Sequence, residues 1–151
     1  MKNPPVASLT LSKELAEYVI LDTYFYWFNR VKVHEDVGEW HYDACDYTLV
    51  DYLKIKQFII DKKRAPDMIE NCEKTNLIPA PLSDELGVVL PHRLGKYYLE
   101  IHKKEPYIEA LYMKNVNEES RYNIQGPCNN LAETLGRMLL YLYKNELIER
   151  E

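Results

Sequence analysis

The residues best equipped for chemistry in this chain are its four histidines and three cysteines, and their spacing limits what they can do together. His41 and Cys45, with Asp43 and Asp46 beside them, form the nearest thing to a pair of metal ligands. Zinc sites take about four ligands in tetrahedral arrangement, usually as two close pairs, and no second Cys or His pair occurs elsewhere in the chain. On an extended strand His41 and Cys45 would share a face about 13 Å apart, too far to hold one ion without a turn. His34-Glu35-Asp36 places an imidazole beside carboxylates, as proton transfer requires, yet consecutive residues on a polar stretch read as a hydrated turn. Nucleophilic catalysis needs Ser or Cys in reach of a base. Cys72 and Cys128 have no such support nearby in sequence, although Cys128 sits at the start of the last helix, where a thiol pKa would fall. Gly38, Gly87, Gly95, Gly126 and Gly136 never cluster, so neither a phosphate loop nor a dinucleotide fingerprint is present. His92, Arg93 and Lys96 make a basic corner that suits either an anion or an ordinary exposed turn, the second being the commoner use. No catalytic, cofactor-binding or metal-ligating residue is assigned, and no cofactor or structural metal is expected.

The elements that must position these residues follow from pattern. Residues 1–9 read as a leader. Thr10 is a candidate cap for a short helix from Leu11 to about Tyr18, with Leu11, Leu15 and Val19 on one side. Tyr24 to Phe28 is aromatic at every position, which predicts a strand that is central or covered on both faces, or else a surface for self-association. Val31 to Gly38 reads as the link to a second strand, about Glu39 to Ala44. Thr48, with Asp51 at the third helical position, predicts a helix through about Lys62 along Leu49, Tyr52, Leu53, Ile55, Ile59 and Ile60. A further short helix is expected over Asp67 to Lys74. Leu77 to Pro81 is extended by proline geometry and is the expected internal boundary.

Beyond it, Ser83 is the expected cap of a helix to about Leu90, stopped by Pro91. Tyr97 to Lys103 and Tyr107 to Met113 read as a hairpin turning at Lys104-Glu105-Pro106, and Lys114 to Pro127 as a long loop. Asn130 and Glu133 form a capping-box pair for a last helix running to about Glu146 on Leu131, Leu135, Met138, Leu139 and Leu142. The expected fold is α+β, an antiparallel sheet with helices packed on it, in one domain of 151 residues. Its halves, 10–76 and 77–151, share the order helix, strand, strand, helix, so two αββα units sharing one four-stranded sheet are a candidate arrangement.

Composition narrows the function classes. An apolar fraction of 46% and a charged fraction of 28% suit a globular core. The net charge of −5 disfavours non-specific binding to nucleic acid or an anionic membrane. The one basic run, Lys54, Lys56, Lys62, Lys63 and Arg64, is flanked by Asp51 and Asp61 and reads as the wet face of a helix. The most apolar run, Val19 to Phe28, is broken by Asp22 and too short to cross a bilayer. Three scattered cysteines suggest no disulfide framework and a reducing, cytoplasmic setting. Thirteen tyrosines stand against three Phe and two Trp; the surplus fits strand propensity and equally contact surfaces, where Tyr offers a large ring with a polar end.

The segment Leu77-Ile78-Pro79-Ala80-Pro81-Leu82-Ser83-Asp84-Glu85-Leu86-Gly87-Val88-Val89-Leu90-Pro91 resembles a group of small proteins found in phages, prophages and related bacterial mobile elements. The Tyr97-Tyr98-Leu99-Glu100-Ile101 strand, the Leu131–Leu142 helix and the opening Leu11-Ser12-Lys13-Glu14-Leu15-Ala16 followed by Tyr24-Phe25-Tyr26-Trp27 are similar to the same group, and Asp46–Asn76 departs from it. The resemblance implies a genomic setting and assigns no activity or site residues. With no chemistry signature and a surplus of Tyr, a residue enriched at interfaces, the chain is expected to be a non-enzymatic protein-binding protein. The alternative is a binder of a small molecule or nucleotide that uses Tyr rings and the Arg93 corner.

Overall fold

The structure, a computed structural model, describes residues 5–54, 56, 77–114 and 119–149; within the first hairpin it describes the backbone but not the side chains of 29–36 and 40–46. The first helix, α1 (Leu9–Ala16), buries Leu11 and Leu15, with Val19 buried just beyond its end. Its cap is Ser8, whose Oγ accepts the Leu11 N–H at 3.3 Å. Spacing alone favours Thr10, but Ser8 is also held by a distant carboxylate: Glu133 accepts its N–H at 2.8 Å and its hydroxyl at 2.9 Å. That long-range anchor fixes the helix start two residues early.

Strands β1 (Phe25–Asp36) and β2 (Glu39–Asp51) form one long antiparallel hairpin with a bulge between Asn29 and Val31. Both strands outrun the sequence expectation, because the connection needs only Val37 and Gly38. Their φ values of +52° and +76° match a two-residue turn of the primed type, which follows the twist of the flanking strands. Thr48, expected to open a helix, lies inside β2 opposite Phe28. Helical residues 52–54 begin later, where Asp51 Oδ1 accepts the Lys54 N–H at 3.0 Å. The rest of that expected helix, and the one over 67–74, lie outside the described residues, as do Lys62, Lys63 and Arg64.

Strand β3 (Leu77–Ala80) pairs with the other side of β1, from Phe25↔Ala80 to Phe28↔Leu77. From Phe25 on, the aromatic run thus occupies a central strand, where Phe25, Tyr26, Trp27 and Phe28 are each half-buried; Tyr24 lies just before the strand and is exposed. The segment read as an internal boundary is therefore the third strand of the first sheet. Helix α2 (Ser83–Val89) follows, with Leu82 rather than Ser83 at the cap position. The Glu85 carboxylate accepts the Leu82 N–H and, through its other oxygen, the Tyr24 N–H, both at 2.8 Å. A carboxylate at the third helical position serves the orphan amide in place of a capping hydroxyl, and ties the helix to the start of β1.

The second sheet has the order β4-β5-β6-β7, all antiparallel: β4 (Arg93–Leu94), β5 (Tyr97–Lys104), β6 (Tyr107–Met113) and β7 (Ser120–Pro127). Strand β7 replaces most of the expected loop over Lys114–Pro127. Its inward positions, Tyr122, Ile124 and Gly126, are covered while the residues between them are exposed. Gly126 faces helix α3 (Leu131–Lys144), and any Cβ there would meet the Thr134 side chain and backbone.

Asn130 caps α3 as expected, its Oδ1 accepting the Glu133 N–H at 3.2 Å. Glu133 does not close the box, because its carboxylate is committed to Ser8. Leu135, Met138, Leu139 and Leu142 of α3 pack with Leu11, Leu15, Leu86, Leu90 and Tyr112 in the main core. The fold is α+β, with helices and two antiparallel sheets of three and four strands. The two hairpins do not merge into one four-stranded sheet; β3 holds the edge of β1 that a shared sheet would need.

Candidate functional site

One end of the second sheet carries an open cleft of about 370 Å³, lined by Leu94, Gly95, Lys96, Tyr97, Lys114, Arg121, Tyr122 and Leu147. The β4–β5 turn presents Lys96, with Gly95 at φ +61° allowing the chain to reverse. Tyr97 opens β5, Lys114 follows the end of β6, and Arg121 and Tyr122 lie at the start of β7. Among the described residues the lining holds three cations and no carboxylate, in a chain of net charge −5.

The Arg121 guanidinium lies 4.7 Å from the centre of the Tyr97 ring, within cation–π range. Glu119 joins the two. Its Oε1 accepts from Arg121 Nη2 at 3.3 Å and Nε at 3.4 Å, and its Oε2 accepts the Tyr97 hydroxyl at 3.2 Å. The Lys114 N–H donates to the Glu119 carbonyl at 3.2 Å, bringing the ends of this connection together. Desolvation, and then the bond to Glu119, hold the Tyr97 phenol above its ordinary value. Arg121 is raised too, first by the charge Tyr97 would carry on ionising and, against some desolvation, by the Glu119 hydrogen bond. Near neutrality the cleft therefore offers a phenol donor and a permanent cation side by side.

Tyr122 has φ +58°, in the left-handed region where a bulky side chain is strained by roughly 1–3 kcal/mol. It lies where the β6–β7 register shifts, and such bulges re-aim side chains. Its ring packs edge-on against Tyr112, centroids 6.3 Å apart, and at a tilt against Tyr141 at 5.8 Å. Tyr112, fully buried, donates its hydroxyl to the Pro91 carbonyl at 2.7 Å, and burial pushes its phenol well up. A core ring thus backs a strained ring at the wall of the cleft. Among the described residues the lining presents three cations and two phenols, groups that suit recognition of a negative group beside aromatic surface.

Of the basic corner, only Lys96 lines the cleft. Arg93 turns away, its guanidinium 5.2 Å from the Tyr98 ring and its Nε donating to the Gly95 carbonyl at 2.7 Å. His92 is exposed. Cys128 is half-buried and lies two residues before the α3 cap, outside the helix proper. His102 contacts Glu100 at 3.0 Å on β5. Cys72 and the side chains of His34, His41 and Cys45 lie outside the description. Among the described residues no three of His, Cys, Asp and Glu gather in a metal-binding geometry, and no helix is long and apolar enough to cross a membrane.

Lys114, Glu119, Arg121 and Tyr122 escape sequence reasoning because Lys114–Pro127 looks like polar loop, and Tyr97, though placed on its strand, has no visible role without them. The available signal is the alternation of Tyr122, Ile124 and Gly126 with Arg121, Asn123 and Gln125. No family model, curated protein or solved structure matches this chain, and the geometry of the cleft is what a functional reading has to work with.

Proposed function

We propose that this chain is a non-enzymatic protein-binding protein, with the cleft between β5 and β7 as its contact site. One observation carries the reading: a strained Tyr122 borders a cleft whose described lining holds three cations and two tyrosines. Strained residues persist where surrounding structure over-determines them, and they concentrate at binding sites. Gly95, Lys96, Lys114 and Arg121 are exposed, so the site is open. An open site suits a side chain projecting from a protein surface better than a ligand to be engulfed, since small-molecule pockets enclose most of their ligand. The mobile-element setting is supported by the resemblance of Leu77–Pro91, and the cytoplasmic one by the scattered cysteines.

The test is affinity capture from producing cells with wild-type protein and a Lys96→Glu/Lys114→Glu double variant in parallel. Both lysines are exposed, so the variant should keep its melting temperature. A defined protein held by the wild type and lost from the variant is the expected result; equal retention by both would refute it. A second reading, a binder of a small anion or nucleotide, is favoured by the volume of about 370 Å³, within the range of ligand pockets. A nucleotide that raises the melting temperature of the wild type and not of the variant would favour it.

A further inference from the structure

Glu119 takes up donors of two residues that line the cleft. One carboxylate oxygen faces the Nε and Nη2 of Arg121 and the other takes the Tyr97 hydroxyl, although Glu119 itself is not part of the cleft lining. The guanidinium edge offers two parallel donors, a geometry that matches a carboxylate. These bonds are long, 3.2–3.4 Å against the roughly 2.7–2.9 Å of strong charge-assisted pairs. The Arg121 and Glu119 side chains are 49% and 56% exposed, so water competes with the pair. Exposed pairs of this kind hold weakly and exchange readily. Among the described residues, Lys96 and Lys114 have no carboxylate partner and remain available to a second negative group.

We propose that Glu119 is an internal stand-in for the carboxylate of an acidic segment on the partner protein. The assignment rests on the protein-binding function proposed above and specifies the chemistry of the partner. On binding, an Asp or Glu of the partner takes the donors of Arg121 and Tyr97, Glu119 turns out to water, and Lys96 and Lys114 meet neighbouring acids of the same segment. The raised phenol pKa keeps Tyr97 a donor throughout the neutral range, consistent with a site for an acceptor-only group. Glu119 thereby weakens binding to any one isolated carboxylate and selects segments that also satisfy the lysines.

The experiment measures anisotropy of a fluorescein-labelled hexaglutamate peptide with wild type, Glu119→Gln, Arg121→Met and Tyr97→Phe, with hexaglutamine as control. Freeing an exposed ion pair and its repulsion toward the peptide corresponds to about threefold to tenfold tighter binding by Glu119→Gln. Arg121→Met should bind more weakly than wild type, Tyr97→Phe should shrink the gain when combined with Glu119→Gln, and hexaglutamine should not bind. Equal or weaker binding by Glu119→Gln would overturn the stand-in role. Binding of inorganic phosphate or AMP with no binding of hexaglutamate would overturn the carboxylate assignment. Neither result touches the capture comparison of the wild type with the lysine double variant, which judges the protein-binding function on its own.

Discussion

Gly126 and Thr134 form a contact whose energetics can be worked out in advance. A Cβ on Gly126 would fall 3.0 Å from the Thr134 Cα and Cβ and would overlap the Thr134 hydroxyl outright. The obstacle is partly helix backbone, which cannot swing aside as a flexible side chain can. Overpacking of this kind costs about 1–3 kcal/mol, so Gly126→Ala should be destabilising by that amount. Thr134→Ala should be close to neutral: the hydroxyl is buried without a hydrogen-bond partner among the described residues, and Ala is the better helix former. In the Thr134→Ala background the worst overlap is gone while the backbone approach remains, so the cost of Gly126→Ala should shrink without vanishing. For a chain of this size each kcal/mol moves the melting temperature by about 2–4 °C. Urea and thermal unfolding of the four proteins complete a double-mutant cycle. A Gly126→Ala cost below about 0.5 kcal/mol, or one identical in both backgrounds, would show that α3 does not press on β7 as described.

Leu135→Ala and Leu139→Ala should each destabilise by about 2–5 kcal/mol, as buried leucines do; changes below about half a kcal/mol in urea unfolding would mean that α3 faces another way. Tyr112 adds a pH dependence. Its folded phenol pKa lies above the unfolded value of about 10, so the folded state keeps a proton that the unfolded chain loses, and stability falls as pH rises beyond 10. Alkaline unfolding should set in there and be shallower in Tyr112→Phe, and identical alkaline profiles would count against the burial of this phenol.

Much of the scaffold is legible in the chain, and what is not shares a cause. The α3 stripe of Leu135, Met138, Leu139 and Leu142 is long and periodic enough to survive any tertiary context, and Asn130 caps it through a bond to a local amide. The β5–β6 hairpin is equally clear from its alternation. Caps at Ser8 and Leu82 are not, because the groups that decide them come from elsewhere: Glu133 for Ser8, and Glu85 shared with Tyr24 for Leu82. Strand β7 hides because two of its three inward positions are filled by Tyr122, at a bulge, and by Gly126, which suits closeness to Thr134 and not apolarity. The cleft is lost with it, since Arg121 and Tyr122, two of its five charged or aromatic lining residues, lie within β7. Lys96 is the only lining residue that the basic corner points to.

The segment Val6–Ser8 has a consequence for the order in which the chain can fold. Ala7 donates its N–H to the Pro81 carbonyl at 3.0 Å and accepts from Trp27 Nε1 at 3.1 Å, while Asn130 Nδ2 donates to the Val6 carbonyl at 2.9 Å. With the Glu133 bonds to Ser8, these contacts join the beginning of the described chain to residues as many as 125 positions later. A chain emerging from the ribosome can complete the β1–β2 hairpin early, but it has nothing to hold Val6–Ser8 from the far side until Asn130 and Glu133 have been made. Closing so long a loop costs entropy that local contacts cannot return in advance. Locking of this segment is therefore a late event in folding, and it makes the early residues a sensor for whether the last helix has docked.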